Sequence, residues 1–376
     1  APASLGNRAL MFFTMYGSLF TSRYKLVQAL AYVIHLYLLW IVFQSCFQLF
    51  SSRPPSRPVA SRSEYVASGK LIGPEDMAYD QEAQVLYATC HDGWVKRLAV
   101  NNSSVDWMVE DWVNTGGRPL GIALRRDAGG VIVADAYKGL LRINSEGETE
   151  VLAEEADGVK FKLTDGVAVA MDGSIYFTDA SYKHDMKEST IDILEGNPNG
   201  RLMRFDSVTK ITEVILSNLC FPNGVTISPD QNSLIFCETS KVRCRRHFIK
   251  GEKKGTTENF IDNLPGVPDN IHYDGHGHYL VGIPTILSFS TRLVARFYQW
   301  KIAAQIIKYF VHETISNDAG IIVLDLEGKP VIHYSDPGFK IVTSGILIGD
   351  HIYLGSLQAT HIVRLDISKE SWMSSS

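Results

Sequence analysis

The 376-residue chain is poor in several features that mark common chemistries. It has five cysteines, no Cys-x-x-Cys pair and no metal-ligand spacing among them, which argues against a zinc site. It has no basic patch or tail: 36 Lys and Arg face 41 Asp and Glu, a net charge of −5, so nucleic acid is not expected as a partner. No Gly-Asp-Ser-type serine nucleophile and no Ser-His-Asp order stands out. Charge-free apolar sequence long enough to span a bilayer is confined to the N-terminal region. Apolar residues make up 45% and aromatics 10%, enough for a packed core. Cys46 falls in the apolar N-terminal stretch. Cys90, Cys220, Cys237 and Cys244 either form two disulfides in an oxidising lumen, with three pairings open, or remain buried thiols in strands.

What is present is a repeat. Phe221-Pro222-Asn223-Gly224-Val225-Thr226-Ile227-Ser228-Pro229-Asp230 reads as a turn carrying an inward-pointing amide, a short strand, a Pro-Asp turn and then a second strand over 234–237. Related units open at Gly73-Pro74-Glu75-Asp76, Arg118-Pro119-Leu120-Gly121, Leu163-Thr164-Asp165-Gly166, Val267-Pro268-Asp269-Asn270 and Val342-Thr343-Ser344-Gly345. The openings lie roughly 45 to 75 residues apart, the period of a propeller blade with loop insertions. Six units predict an all-β, six-bladed β-propeller over residues 64–370, with polar residues of successive openings pointing at one axis.

The N-terminal segment 1–50 contains a helix predicted over 26–50, long enough to span a bilayer and read as a signal-anchor. Residues 51–63, rich in Ser, Pro and Arg, read as a linker. Asn101 and Asn102 begin two overlapping glycosylation sequons on an expected surface loop. Together these place the propeller in the lumen of the endomembrane system, endoplasmic reticulum or vacuole, on a single-pass anchor that provides the membrane contact. Residues 181–199 read as a lid or rim loop, and 286–310 as a helical insertion between the last two blades, with the final unit running from 321 to 365. His91, His184 and His272 fall near blade loops, whereas His276 and His278 flank Gly277 in an expected exposed turn.

Ile193-Leu194-Glu195-Gly196, Asn199-Gly200-Arg201-Leu202, Phe221-Pro222-Asn223-Gly224-Val225, Phe236-Cys237-Glu238-Thr239-Ser240 and the run from Asp262 to Ile271 (Asp-Asn-Leu-Pro-Gly-Val-Pro-Asp-Asn-Ile) together resemble the plant strictosidine synthase-like family. Its animal relatives are the adipocyte plasma membrane-associated proteins. The resemblance covers residues 64–367. The wider superfamily, with paraoxonases and gluconolactonases, implies a calcium-dependent hydrolytic site at the propeller axis. Carried over by position, Glu75 and Asp76 match a Glu-Asp pair of calcium ligands, Asn223 an axial amide ligand, and Asp269 and Asn270 an Asp-Asn pair whose Asp is also implicated in catalysis. Asp165 matches the second residue of an Asn-Asp pair whose first is Thr164 here. His272, two residues beyond Asn270, is a further catalytic candidate.

The donor types agree independently, since calcium takes six to eight oxygens. Against this, Asn and Asp are ordinary turn residues that can simply cap strand beginnings. Two departures narrow the reading. Residues 341–348 contain no acid where strictosidine synthase carries its proton-handling glutamate; Thr343 and Leu347 stand nearest that position. Leu120 stands where a paraoxonase-type histidine would be. The expected function is calcium-dependent hydrolysis of a small ester or lactone, with a non-catalytic binding propeller as the rival and a condensing synthase a distant third.

Overall fold

The computed structural model describes Tyr37 and residues 56–100, 107–125, 129–285 and 319–375. The helix expected over 26–50, the Asn101 and Asn102 sequons and the helix expected over 286–310 lie outside the described residues. Among the described residues no helix is long and apolar enough to cross a membrane. The chain divides into a unit Ala1–Ser52 and a unit Arg53–Ser376; the second is the propeller.

Six blades of four antiparallel strands follow one another, each running from an inner to an outer strand, and one of them gains a fifth strand. Two short strands, β1 (Ser56–Pro58) and β2 (Ser63–Val66), precede them. Blade one is β3 to β6 (Pro74–Asp80, Val85–Cys90, Trp94–Ala99, Val109–Asn114), and blade two is β7 to β10 (Pro119–Leu124, Val131–Asp135, Gly139–Ile143, Thr149–Ala153). A hairpin, β11 and β12 (Glu155–Ala156, Val159–Lys160), leads into blade three. That blade is β13 to β16 (Thr164–Val169, Ile175–Asp179, Gly200–Phe205, Thr212–Leu219) and carries the short helix α1 (Ser189–Glu195) between its second and third strands. Blade four is β17 to β20 (Pro222–Ile227, Ser233–Glu238, Arg243–Phe248, Thr257–Ile261). Blade five is β21 to β24 (Ile271–Tyr273, His278–Ile283, Gly320–Asp325, Pro330–Ser335), and blade six comprises β25 to β27 (Val342–Ile348, His351–Ser356, Ile362–Asp366). β2 completes blade six as its outermost strand, pairing antiparallel with β27 from Ser63↔Leu365 to Val66↔Ile362. The start of the propeller thereby closes on its end.

Three expectations are corrected. Ile321 does not open the last blade: it pairs with Gly282, so 286–318 interrupts blade five between β22 and β23 rather than separating two blades. A long gap in sequence looks like a blade boundary, but only strand register shows which sheet resumes after it. In the stretch read as a linker, β1 adds to blade five, pairing parallel with His333–Ser335 on β24. An outermost position tolerates its proline, which has no N–H to donate. His278 is likewise not in an exposed turn: it begins β22, is buried, and pairs with Asp274.

The core is six apolar layers, one between each pair of neighbouring blades. Val133 and Leu141 of blade two, for example, meet Val95 and Tyr87 of blade one, while Ile132 and Ala134 on the opposite face meet Phe177 and Met203 of blade three. Val66, Tyr353 and Ile362 of blade six close the ring against Met77, Leu86 and Leu98 of blade one. Second strands are covered on both faces, which is why β8, β14, β18 and β22 are buried throughout. Cys237 and Cys244, opposite one another on β18 and β19, form a disulfide, while Cys90 and Cys220 are buried free thiols.

Second strands of blades two, three and four end in an acid opposite the first residue of the inner strand: Asp135 opposite Pro119, Asp179 opposite Thr164 and Glu238 opposite Pro222. Each accepts the backbone N–H just before that strand, from Arg118 at 3.0 Å, Leu163 at 3.1 Å and Cys220 at 2.9 Å. Asp179 also takes a 2.7 Å bond from the buried Arg201 guanidinium. Truncating one member of such a buried pair strands the other charge. Asp179→Ala is expected to lower unfolding stability by about 3–5 kcal/mol in denaturant titration, and a loss under 1 kcal/mol would contradict the clamp.

Candidate functional site

The side chains at the axis are aimed by a recurring backbone irregularity. In blades one to four, two residues of the inner strand oppose one of the second strand: Glu75-Asp76, Leu120-Gly121, Asp165-Gly166 and Asn223-Gly224. Blade six carries one extra residue at Thr343. Such bulges kink the strand and redirect its side chains. Threonines staple them to the next blade. Thr178 Oγ1 accepts from Gly166 N and donates to Asn223 O, both at 2.8 Å. Thr89 Oγ1 accepts from Asp76 N at 3.1 Å and donates to Leu120 O at 2.5 Å. A Cβ on Gly166 would lie 2.6 Å from Asn223 O, and one on Gly224 2.5 Å from the Cα of Asn270, so these inner strands approach too closely for any side chain. Two strained residues also lie at this end: Phe221 and Ile341, each just before an inner strand, have φ of 54° and 43°.

This construction brings Glu75, Asp76, Asp165, Asn223, Asp269 and Asn270 together, none more than 8% exposed. Asn270 Nδ2 donates to Glu75 Oε1 at 2.7 Å. His272, part-exposed, joins through Nε2, 2.7 Å from Asp76 Oδ1. Asp76 is fully engaged by protein donors, since Ser344 Oγ also bonds Oδ1 at 2.6 Å and Ile122 N bonds Oδ2 at 3.1 Å. Glu75 Oε2, Asn223 Oδ1 and Thr164 Oγ1, by contrast, are buried without a hydrogen-bond partner.

The electrostatics reflect four carboxyl groups buried close together. Burial and then the Asp269, Asp76 and Asp165 charges push the Glu75 carboxyl well above its ordinary range. Asp165 is pushed up to about 7, by burial and then Asp76. Asp269 is raised by burial and Asp165, with a hydrogen bond from the Asn223 side chain pulling the other way. Burial depresses His272, but the Asp76 carboxylate outweighs it and the imidazole ends above its ordinary value.

Sequence reasoning passed over two participants. Arg118, buried, spends Nη1 on Pro119 O and leaves Nε and Nη2 without acceptors. Its guanidinium lowers both Glu75 and Asp165. The available signal was its place as the first residue of a repeat opening. Ser344 joins only because blade six closes beside blade one. Over the same end, Met186 and Ile193 of the 181–199 insertion pack on Leu120, Leu163 and Phe221, forming an apolar wall beside the acids. A separate surface cleft of about 340 Å³, lined by Arg62, Glu64 and Arg364 among others, lies on the outer strands of blade six.

A six-bladed propeller with buried acids converging on its axis defines the class of this protein. Its residues 165–252 match the family described as strictosidine synthase, and 61–98 the strictosidine synthase-like N-terminal family. It is 49% identical to the Arabidopsis thaliana strictosidine synthase-like protein 6, over 82% of each chain. It is 32% identical to the adipocyte plasma membrane-associated protein of Rattus norvegicus, over 81% of this chain and 86% of that one. The protein belongs to the strictosidine synthase-like family. In fold it is similar to a gluconolactonase from Xanthomonas campestris (TM-score 0.60, 14% identity, 84% of this chain and 96% of that one). A calcium-binding regucalcin from Agrobacterium tumefaciens is similar in the same way (TM-score 0.59, 15% identity, the same coverage).

The raised acids have a consequence for stability. Between the ordinary carboxylate value near 4 and the folded value of about 7, folded Asp165 holds a proton that the unfolded chain has lost. Its contribution is therefore complete below about pH 4 and declines as pH rises through 7. In chelator, wild-type unfolding temperature is expected to fall more steeply from pH 5 to pH 8 than that of Asp165→Asn. Parallel profiles would remove Asp165 from the coupled cluster.

Proposed function

We propose that this protein is a calcium-dependent hydrolase of a small ester or lactone, working from the endomembrane lumen. The observation that carries the reading is the set of buried, partnerless oxygens, Glu75 Oε2, Asn223 Oδ1 and Thr164 Oγ1, among carboxyl groups whose mutual repulsion calls for a cation. An all-oxygen donor set fits calcium. Glu75, Asp165, Asn223 and Asp269 would hold it, with Asn270 positioning Glu75, while Asp76 serves as a positioning residue for His272. The chemistry such an ion supplies when bound is polarisation of the substrate carbonyl.

The chain's own groups account for the rest. Asp269, in its ionised form, is the base that takes a proton from attacking water, and the His272–Asp76 pair is a second proton carrier at the rim. Arg118 offers two uncommitted donor nitrogens, Nε and Nη2, to developing negative charge. The wall of Leu120, Phe221, Met186 and Ile193 receives the apolar part of the substrate and excludes water. Strictosidine-type condensation has no support here. Thr343 Oγ1 donates to Glu75 O at 2.7 Å, and Leu347 packs into the layer between blades five and six, so no acid is available at either position.

Calcium at about a hundred times its dissociation constant should add about 2.7 kcal/mol of stability, a shift of several degrees over chelator. Asp269→Ala should abolish both that shift and turnover of any ester or lactone the wild type cleaves. Calcium stabilisation in a protein that cleaves nothing on a broad panel would leave a binding propeller. Full activity in Asp269→Ala would overturn the site assignment.

A further inference from the structure

Away from the axis, one more group of side chains is arranged as ligands. His184, Asp192 and Glu195 place one nitrogen and two carboxylate oxygens within 4.8 Å of one another on the 181–199 insertion. Asp192 and Glu195 are three residues apart on α1, hence on one face of it, and His184 comes from the turn before it.

His184 Nδ1 lies 3.0 Å from Glu188 Oε2, an arrangement that keeps the proton on Nδ1 and leaves Nε2 its lone pair. Asn199 Nδ2 donates to Asp192 Oδ1 at 2.6 Å, and Asn197 Nδ2 to Glu195 Oε2 at 2.8 Å. Each candidate ligand is thus oriented from behind by a second group, as metal ligands are.

Two polar atoms of the group are unsatisfied. His184 Nε2 is buried without a hydrogen-bond partner, and so is Oδ2 of Asp192, whose residue is only 1% exposed. Nε2 lies 3.9 Å from Asp192 Oδ1 and 3.7 Å from Glu195 Oε2, too far for hydrogen bonds. Ligand atoms sharing one zinc at 2.0–2.2 Å stand roughly 3–3.5 Å apart. The imidazole therefore needs to approach each carboxylate by only a few tenths of an ångström, while the two carboxylates, within 4.8 Å of each other, close the rest by side-chain rotation. Lys183 Nζ, 3.7 Å from Glu195 Oε2, is the nearby cation; its half-exposed side chain is free to swing away.

We propose that His184, Asp192 and Glu195 form a second metal site that takes a zinc-class dication. The imidazole nitrogen favours zinc over calcium, which prefers all-oxygen ligands. Bound there, the ion would tie α1 to the turn before it, and through Met186 and Ile193 would fix the insertion on the apolar wall at the site end.

The test is calorimetric titration of the full chain with zinc chloride in excess calcium, so that calcium holds the axial site. Wild type is compared with His184→Gln and Glu195→Gln; the second alters a partly exposed side chain and retains an oxygen for Asn197. Unfolding temperatures without zinc check that each variant is folded. Wild type is expected to bind one more zinc equivalent than either variant, or to bind it at least tenfold more tightly. Zinc should also slow proteolytic cleavage within 181–199 in wild type alone. Identical zinc isotherms in all three proteins, with no change in cleavage, would overturn the proposal. Since the readouts are zinc stoichiometry and loop protection, the result is independent of whether the axial site hydrolyses esters.

Discussion

The structure depends on the close approach of inner strands around the axis. Gly166 and Gly224 let backbones of blades three, four and five come within a distance that no side chain survives. Thr89 and Thr178 then join each bulge to the carbonyl of the following blade. Because the inserted residues sit in the bulges, the forces that close the ring also decide where Glu75, Asp165 and Asn223 point. Fold and site are one construction, and the apolar layers between the blades hold that construction in place.

A buried axis with four carboxyl groups has an electrostatic cost that the protein only partly offsets. Asn270 quiets one oxygen of Glu75, and Ser344, His272 and the Ile122 amide satisfy Asp76. Arg118 supplies one buried positive charge. What is left over, raised acids and oxygens without donors, is stability given up at the place where a cation and a carbonyl substrate would be received. Around it the clamps at Asp135, Asp179 and Glu238 are fully bonded. That contrast separates the clamp acids from the axial ones more sharply than residue type does.

The six openings were legible because turn residues and short apolar runs recur at blade period, and the axial placement of Glu75, Asp165, Asn223 and Asp269 followed from that repetition. Blade assignment near the end was not legible. Ile321 reads as the start of a unit until its pairing with Gly282 is seen, and Ser56 to Pro58 reads as linker until it pairs with β24. Arg118 carries no local pattern that distinguishes a buried guanidinium from a solvated one. The His184 group was visible only as scattered polar residues in a loop.

The sequence alone determined the all-β repeat, the number of blades and which openings carry oxygen donors, because these rest on local turn chemistry and periodicity that need no distant partner. Tertiary structure alone decided which donors remain free. Asp76 is spent on Ser344 and His272, residues some two hundred or more positions away, whereas Glu75 Oε2 and Asn223 Oδ1 are not spent at all. Whether a polar atom is satisfied depends on what ring closure brings beside it, and ring closure is a property of the whole chain.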